Sequence, residues 1–338
     1  MGPFRILSID GGGIRGLIPA LVLAELEAQT GHPCADLFDL IVGTSTGGII
    51  ALGLVAPGPQ GRPLYSARDL ADLYLGQRSR IFQRTFWDEL RNPGGLLDEC
   101  YGSASIEAVL KERFQEIRLR EALTEVMVTA YDLEKRDPFF FRSRRAKTDP
   151  RYDYPMWQAA RATSAAPTYF EPLLIPWPGQ DRDVLVDGGV FANNPALCAY
   201  AEAQAAIREG RIPASELLLV SLGTGHFARP IPFEQARDWG LAGWAKPILD
   251  VMFDGVADTV DYQLRQILPA ASDGTARYHR FQVTLEPGLD AMDNITPTNL
   301  GGLQRMAETL LAKQGAELSL LAAELGHLAR KEKTETAG

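Results

Sequence analysis

The sequence is poor in cysteine and histidine, the residues that most often build disulfide frameworks and transition-metal sites. Three cysteines, Cys34, Cys100 and Cys198, and four histidines occur among 338 residues. The cysteines are odd in number, widely spaced and never arranged as C-x-x-C, which argues against a disulfide framework and a zinc site. We therefore expect three reduced thiols and no bound metal.

Long apolar runs and a positive net charge are also missing. No stretch reaches the roughly 18 to 20 uncharged apolar residues of a membrane-spanning helix, so we expect any membrane contact to be peripheral. With 34 lysines and arginines against 43 aspartates and glutamates, the formal net charge is -9, which repels nucleic acid at long range. The N-terminal MGPFRILSID shows no signal-peptide pattern. These features predict a cytoplasmic protein that does not bind nucleic acid.

What the sequence does contain is an alternation of strand-like and helix-like runs. The strand-like runs are FRILSI (4–9), LFDLIV (37–42), EVMVTAYDL (125–133), PFFFR (138–142), DVLVD (183–187) and LLLVSLGT (217–224). Helix-like LIPALVLAELEAQ (17–29) and GIIALGLVA (48–56) lie between them. This order predicts an α/β fold with a mainly parallel central sheet and helices on both faces. We expect one domain over 1–312, helical from about 235, followed by a C-terminal helix and polar tail over 313–338.

The first strand runs into a glycine-rich loop that could hold a negative group. Gly11, Gly12, Gly13 and Gly16 satisfy the spacing G-x-G-x-x-G, which in a dinucleotide-binding unit holds a pyrophosphate. That reading requires an acidic residue near the end of the second strand, whereas this strand ends in Gly43. Backbone N–H groups that stabilise a transient oxyanion are therefore the better interpretation of the loop.

The second strand leads into GTSTG (43–47), which is G-x-S-x-G between a strand and a helix. In this context the pattern predicts a nucleophile elbow, with Ser45 exposed at a tight turn. Gly43 and Gly47 leave room for the adjacent strand and helix, and the helix N-terminus favours negative charge near the serine hydroxyl. Ser45 is thus the candidate nucleophile.

A serine needs a base, and the sequence offers two arrangements. Histidines 32, 279 and 327 lie in ordinary polar surroundings and are expected at the surface. Asp187 ends an apolar strand, where partial desolvation would raise its pKa and let it act as a direct base. His226, just after another strand, permits instead a triad in the order Ser45, Asp187, His226. Both arrangements remain open from the residues alone.

Three motifs, DGGGIRG (10–16), GTSTG (43–47) and DGG (187–189), occur in an order that resembles the patatin family of lipid acyl hydrolases, related to cytosolic phospholipase A2. The stretches 157–172, 191–195 and 221–225 are also similar to this family, and the resemblance covers roughly residues 4–312. It implies a dyad without histidine, in which Ser45 is the nucleophile and Asp187 the base. Gly189 stands where some members have alanine.

The resemblance further implies the surroundings of this dyad. Gly11, Gly12 and Gly13, with Arg15 beside them, would form the oxyanion hole. The remaining motif positions would support it, and these are Asp10, Gly16, Gly43, Gly47, Gly188 and Gly189. From its residue type we expect Asp10 to accept backbone hydrogen bonds within the loop.

The activity implied is hydrolysis of acyl esters in phospholipids or related lipids, at a membrane or micelle surface and without calcium or another cofactor. A ligand-gated effector with low basal activity, or a binding or storage protein, is the alternative from another class. Two segments bear on access to lipid. Residues 80–97 are a candidate interfacial lid, and the apolar side chains of 239–268 fit an acyl pocket, a bilayer contact or core packing.

Overall fold

The computed structural model describes residues 2–75, 103–178, 181–212, 216–227, 230–244, 247–271 and 274–336. The candidate lid at 80–97 and Cys100 lie outside the described residues.

Eight strands form one sheet in this part of the chain. They are β1 (Phe4–Ile9), β2 (Leu40–Gly43), β3 (Glu125–Asp132), β4 (Asp137–Arg142), β5 (Leu173–Pro176), β6 (Arg182–Asp187), β7 (Leu217–Leu222) and β8 (Tyr278–Phe281). Their order is β5-β6-β3-β2-β1-β7-β8, with β4 also paired to β3. The strands β3, β2, β1, β7 and β8 are mutually parallel, while β4 and β6 run antiparallel to β3. The predicted mainly parallel sheet is confirmed.

The helices cover both faces of this sheet. They are α1 (Leu17–Thr30), α2 (Cys34–Leu37), α3 (Thr46–Val55), α4 (Ala67–Leu75), α5 (Ser103–Phe114), α6 (Ser143–Thr148), α7 (Met156–Thr163), α8 (Gly189–Ala192), α9 (Ala196–Arg208), α10 (Phe233–Ala236), α11 (Leu241–Trp244), α12 (Pro247–Ile267) and α13 (Pro297–Thr336). A 3-10 turn, Gly13–Gly16, precedes α1.

Alternate residues of the central strands enter different core clusters, as the two-residue repeat of a strand requires. Leu7 and Ile9 of β1 join the cluster that includes residues of α1, α3 and α13. Ile6 of the same strand and Val42 of β2 join the cluster formed with α9 and α12. The two clusters confirm a sheet layered between helices.

The C-terminal part departs from the predicted division. Helix α13 is continuous from Pro297 to Thr336, so a boundary at 312 would fall inside it. Leu318, Leu321 and Leu325, beyond that boundary, belong to the same core cluster as α1. The helical portion predicted from about 235 also contains β8, a four-residue strand too short to show a clear sequence pattern.

The register of β3 positions the functional site. Strand β4 covers one edge of β3 over residues 127–132, so β2 and β6 follow one another along the opposite edge. Gly43 lies opposite Val128, and Asp187 lies opposite Ala130. The end of β6 is therefore held next to the turn that follows β2.

Candidate active site

Ser45 occupies a strained turn between β2 and α3. Its backbone has φ 55° and ψ -125°, a conformation that costs a non-glycine residue roughly 1 to 3 kcal/mol. A Cβ at Gly43 would lie 2.1 Å from the carbonyl oxygen of Gly47, and a Cβ at Gly47 would lie 2.3 Å from that of Ile9. Both glycines are thus required by close packing, for the reason inferred from the sequence.

The turn is also held by a hydrogen bond. The backbone N–H of Ser45 donates to Oγ1 of Thr163, at the end of α7, over 2.8 Å. The hydroxyl of Ser45 faces an open pocket of about 620 Å³, counting its mouth. Its polar lining includes Ser45, Asp187 and Asn193, and its apolar lining includes Ile49, Phe170 and Phe253. A hydroxyl, a carboxyl and an apolar wall therefore share one cavity.

Asp187 is 2% exposed. The backbone N–H of Gly189 donates to its Oδ1 over 2.7 Å, and the side chain of Ser45 lies close enough to interact with the carboxylate. Burial raises the pKa of Asp187 to about 7, and the interactions with Ser45 and Gly189 offset part of that rise. A second carboxylate, Asp293, also lines the pocket.

The glycine loop contributes to the same pocket as this pair, but not with all three predicted donors. Gly12 and Gly13 line the pocket. The N–H of Gly11 instead donates to the carbonyl of Asn193 over 2.9 Å, so it is occupied by the fold. The structure corrects the prediction for Gly11, whose small size is needed because a Cβ there would lie 2.4 Å from Oδ1 of Asn193.

Arg15 is likewise placed behind the loop and not in the cavity. It is 2% exposed and is not among the described residues that line the pocket. Its Nε donates to the carbonyl of Gly12 over 3.2 Å, and its guanidinium lies 5.0 Å from the ring centroid of Phe227. The prediction that Arg15 belongs to the oxyanion hole is therefore corrected: it holds a carbonyl of the loop.

Asp10 forms a buried ion pair that the sequence did not suggest. Arg280 of β8 donates to both of its carboxylate oxygens, over 2.6 and 3.0 Å, and also to Oγ of Ser221. The expectation that Asp10 accepts backbone hydrogen bonds of its own loop is thereby replaced by a pairing 270 residues away. The pair ties the end of β1 to β7 and β8.

The other motif glycines mark close contacts around the same site. A Cβ at Gly16 would lie 2.3 Å from Oγ1 of Thr46, and one at Gly188 would lie 2.1 Å from Oγ1 of Thr129. Gly189 supplies the N–H that bonds Asp187. Of the three motifs, Gly12, Gly13, Ser45, Thr46 and Asp187 line the pocket.

The triad with His226 finds no support in this arrangement. Nε2 of His226 bonds Oγ1 of Thr284 over 3.1 Å, and the residue is not among the described pocket lining. His279, which was expected at the surface, is 8% exposed and pairs through Nδ1 with Glu317 over 2.8 Å. The side chain of Ser45 interacts with the carboxylate of Asp187 directly.

Sequence reasoning missed several residues that hold the site together. Thr163, Asn193 and Thr224 lie in the stretches 157–172, 191–195 and 221–225, which were recognised only as similar to a family. Arg280 had no signal, because a single arginine in a polar stretch reveals no partner. All four act through contacts that only the folded chain brings about.

Comparisons with known proteins identify the family to which the chain belongs. The sequence model of the patatin-like phospholipase family matches residues 7–200, which is more than half of the chain. The chain belongs to the patatin-like phospholipase family. It is 34% identical to patatin-like protein 2 of Arabidopsis thaliana, over 93% of this chain and 84% of that protein. Membership supports a lipid hydrolase function.

Other relatives in the family differ in what their names say. The chain is 33% identical to a protein of Solanum tuberosum named probable inactive patatin-3-Kuras 1, over 92% of this chain and 87% of that one. Among solved structures, VipD from Legionella pneumophila is 12% identical with a TM-score of 0.42, over 91% of this chain and 67% of that chain. That likeness is too weak to bear on function.

Proposed function

We propose that this patatin-family protein is a lipid acyl hydrolase in which Ser45 is the nucleophile and Asp187 the general base. The observation that carries the proposal is the placement of the Ser45 side chain beside the buried Asp187 carboxylate, whose pKa it lowers, inside a pocket that Gly12 and Gly13 also line. Because one relative is named probable inactive, family membership alone does not decide activity. The proposal therefore rests on these side chains.

In the proposed first step, Oγ of Ser45 attacks the carbonyl carbon of an acyl ester while Asp187 takes the hydroxyl proton. The carbonyl oxygen becomes an oxyanion, which the N–H groups of Gly12 and Gly13 stabilise, together with the N-terminus of α3. Collapse of this intermediate breaks the ester C–O bond. Asp187 returns the proton to the departing alcohol, and the acyl group stays on Ser45.

In the second step, water replaces the alcohol. Asp187 takes a proton from the water as its oxygen attacks the acyl carbon, and the proton passes to Oγ of Ser45 as the acyl–oxygen bond breaks. The products are a fatty acid and the free enzyme. Every role in this scheme is assigned to a group of the chain itself.

We also propose that the enzyme binds its substrate at a lipid surface. Three apolar side chains of α12 are more than a third exposed, and we call them the apolar patch: Ile248, Val251 and Met252. They follow the three-and-four spacing that places residues on one helix face. The next residue, Phe253, lines the pocket. The helix that carries the patch therefore also contributes to the cavity that would receive the acyl chain.

We further propose a cytoplasmic location, because Cys34 and Cys198 are free thiols and a reducing compartment keeps thiols reduced. Within the described residues, none of the helices is both long enough and apolar enough to cross a bilayer.

The proposal is tested by hydrolysis of phospholipid vesicles and of a short-chain p-nitrophenyl ester. Ser45→Ala and Asp187→Asn should each lower kcat by at least about 10³-fold, while Ser319→Ala and Asp137→Asn, both at exposed positions, should leave it unchanged. A fluorophosphonate probe should label the wild type at Ser45 and leave Ser45→Ala unlabelled. Normal hydrolysis by either dyad variant would refute the assignment.

A further inference from the structure

The loop after β7 places a buried threonine directly against the glycine loop. Thr224 is 3% exposed, and its Oγ1 donates to the carbonyl oxygen of Gly11 over 2.6 Å. A Cβ at Gly12 would lie 2.3 Å from the same Oγ1. Thr224 thus fills the space that a side chain at position 12 would need.

This hydrogen bond fixes the orientation of a peptide plane. In a trans peptide the C=O and the following N–H point in opposite directions, and the carbonyl of Gly11 shares its plane with the N–H of Gly12. Because Thr224 holds that carbonyl on one side, the N–H of Gly12 is directed to the other. Gly12 lines the pocket, so the opposite side is the one the oxyanion would occupy.

The next peptide is arranged in the same way. The carbonyl of Gly12 accepts hydrogen bonds from the backbone N–H of Arg15 and from its Nε, each over 3.2 Å, which directs the N–H of Gly13 away from Arg15. Among the hydrogen bonds of the described residues, neither the N–H of Gly12 nor that of Gly13 has an acceptor within the protein. The N–H groups of Gly12 and Gly13 are thus oriented by hydrogen bonds to the carbonyls that share their peptide planes. Both N–H groups remain available to an oxyanion.

Thr224 is itself held by its neighbours. The N–H of Gly223 donates to the carbonyl of Phe281 over 2.9 Å, and the N–H of Gly225 donates to Oε1 of Gln282 over 2.8 Å. Both partners belong to β8 or the residue after it. The threonine hydroxyl is therefore presented from a fixed loop, which is what precise orientation of a donor requires.

We infer that Thr224 is a positioning residue for the oxyanion hole, acting through the Gly11 carbonyl to aim the Gly12 N–H at the developing negative charge. This inference rests on the proposed function of the same pocket. Without the hydroxyl, the Gly11–Gly12 peptide can rotate, and the donor loses the alignment that stabilises the transition state more than the bound substrate.

The test compares Thr224→Val, which removes the hydroxyl at nearly constant shape, with Thr224→Ser, which keeps it. We expect kcat of Thr224→Val to fall about 10- to 100-fold with KM within about twofold of the wild type, and Thr224→Ser to recover most of it. The matched control is Thr30→Val, since Thr30 is also buried and donates to a backbone carbonyl over 2.8 Å, but within α1. If Thr224→Val does not fold, Thr224→Cys supplies a weak donor of similar size.

A second readout separates positioning from general stability. A trifluoromethyl ketone forms a tetrahedral adduct with a nucleophilic serine and carries the same oxyanion. Its inhibition constant should rise in Thr224→Val by the factor by which kcat/KM falls, while the inhibition constant for Thr30→Val stays at the wild-type value.

The outcomes distinguish this inference from the function on which it rests. Two results would overturn the inference alone, provided that Ser45→Ala abolishes hydrolysis. In the first, Thr224→Val keeps kcat and the inhibition constant within twofold of the wild type. In the second, Thr30→Val loses as much kcat as Thr224→Val. If hydrolysis does not depend on Ser45, the proposed function and this inference fall together.

Discussion

Gly43 and Asp187 lie opposite residues only two positions apart on the same edge of β3, Val128 and Ala130. Ser45 follows Gly43 by two residues, so the register of one strand delivers the serine turn and the carboxylate to the same point. The parallel pairing of β2 with β3 and the antiparallel pairing of β6 with β3 bring them from opposite directions. This juxtaposition is the basis for each prediction about the pocket.

The activity should rise with pH through about 7. Burial raises the pKa of Asp187 to about 7, and a general base must be deprotonated to accept the serine proton. We expect kcat/KM for a soluble ester to increase about tenfold per pH unit below this value and to level off above it. A profile that is flat between pH 5 and 9 would exclude Asp187 as the base.

The same pKa predicts a pH-dependent cost in stability. Between the ordinary carboxyl pKa of 3.8 and about 7, the folded protein binds this proton more tightly than the unfolded chain, so stability is lost as pH rises through that window. Three pKa units correspond to at most roughly 4 kcal/mol. Asp187→Asn should therefore gain stability relative to the wild type in urea unfolding at pH 8 compared with pH 5, whereas exposed Asp137→Asn should not.

Alanine at Gly47 should damage the elbow. Its Cβ would lie 2.3 Å from the carbonyl oxygen of Ile9 and 2.7 Å from that of Asp10, so the backbone at the end of β1 must move to admit it. We expect a loss of about 1 to 3 kcal/mol in the free energy of unfolding together with loss of hydrolysis. Gly315→Ala in α13, where a Cβ meets nothing within 4 Å, should instead stabilise by about 0.5 to 1 kcal/mol.

His226→Gln should leave kcat within about threefold of the wild type. The Ser45 side chain interacts directly with the carboxylate of Asp187, and Nε2 of His226 bonds Thr284, whereas removing a triad histidine costs several orders of magnitude. Steady-state kinetics on the soluble ester suffice. A fall in kcat of about 10³-fold or more would instead support the triad of Ser45, Asp187 and His226.

Charges placed on the apolar patch should impair hydrolysis of vesicle phospholipids more than hydrolysis of a dissolved ester. Val251→Asp combined with Met252→Asp is expected to reduce hydrolysis and sedimentation with zwitterionic vesicles at least about tenfold, since burying each charge in an interface costs free energy. Hydrolysis of the short-chain ester should not change. Leu320→Asp on α13, at a position that is 75% exposed, is the control, and equal losses in both proteins would dismiss the patch.

Removing Arg280 should destabilise the fold through Asp10. Arg280→Met leaves a buried carboxylate without its bidentate partner, which costs about 3 to 5 kcal/mol for pairs of this kind. Urea unfolding measures the loss. Adding Asp10→Asn should recover part of it, because the uncompensated charge is then gone, and a double variant no more stable than Arg280→Met would contradict this account.

Much of the central sheet was predictable, because its buried strands are largely continuous apolar runs. β1, β3, β6 and β7 lie where their runs predicted them. The strand predicted over 37–42 was less accurate, because Leu37 ends α2 and β2 starts only at Leu40. Asp39, between α2 and β2, accepts hydrogen bonds from the Arg5 guanidinium of β1. Hydrophobic patterning does not reveal this contact.

The site shows the same contrast. Ser45, Asp187 and the glycines were identifiable because each belongs to a local motif with its own steric or chemical reason, and their catalytic roles stay predictions. The occupied N–H of Gly11 and the buried placement of Arg15 behind the loop were not identifiable. Which of several neighbouring N–H groups is free depends on partners such as Asn193, which lies about 180 residues further along the chain.

By itself the sequence determined the local conformations: the tight turn at Ser45, the glycine-rich turn after β1 and the strand that ends at Asp187. Steric and hydrogen-bonding preferences within a few residues are enough to fix these. The tertiary structure alone decided the pairing of β6 beyond the end of β2, the ion pair of Asp10 with Arg280 and the peptide orientation imposed by Thr224. Those contacts join distant segments, and they form only once the packed core has set the strands in register.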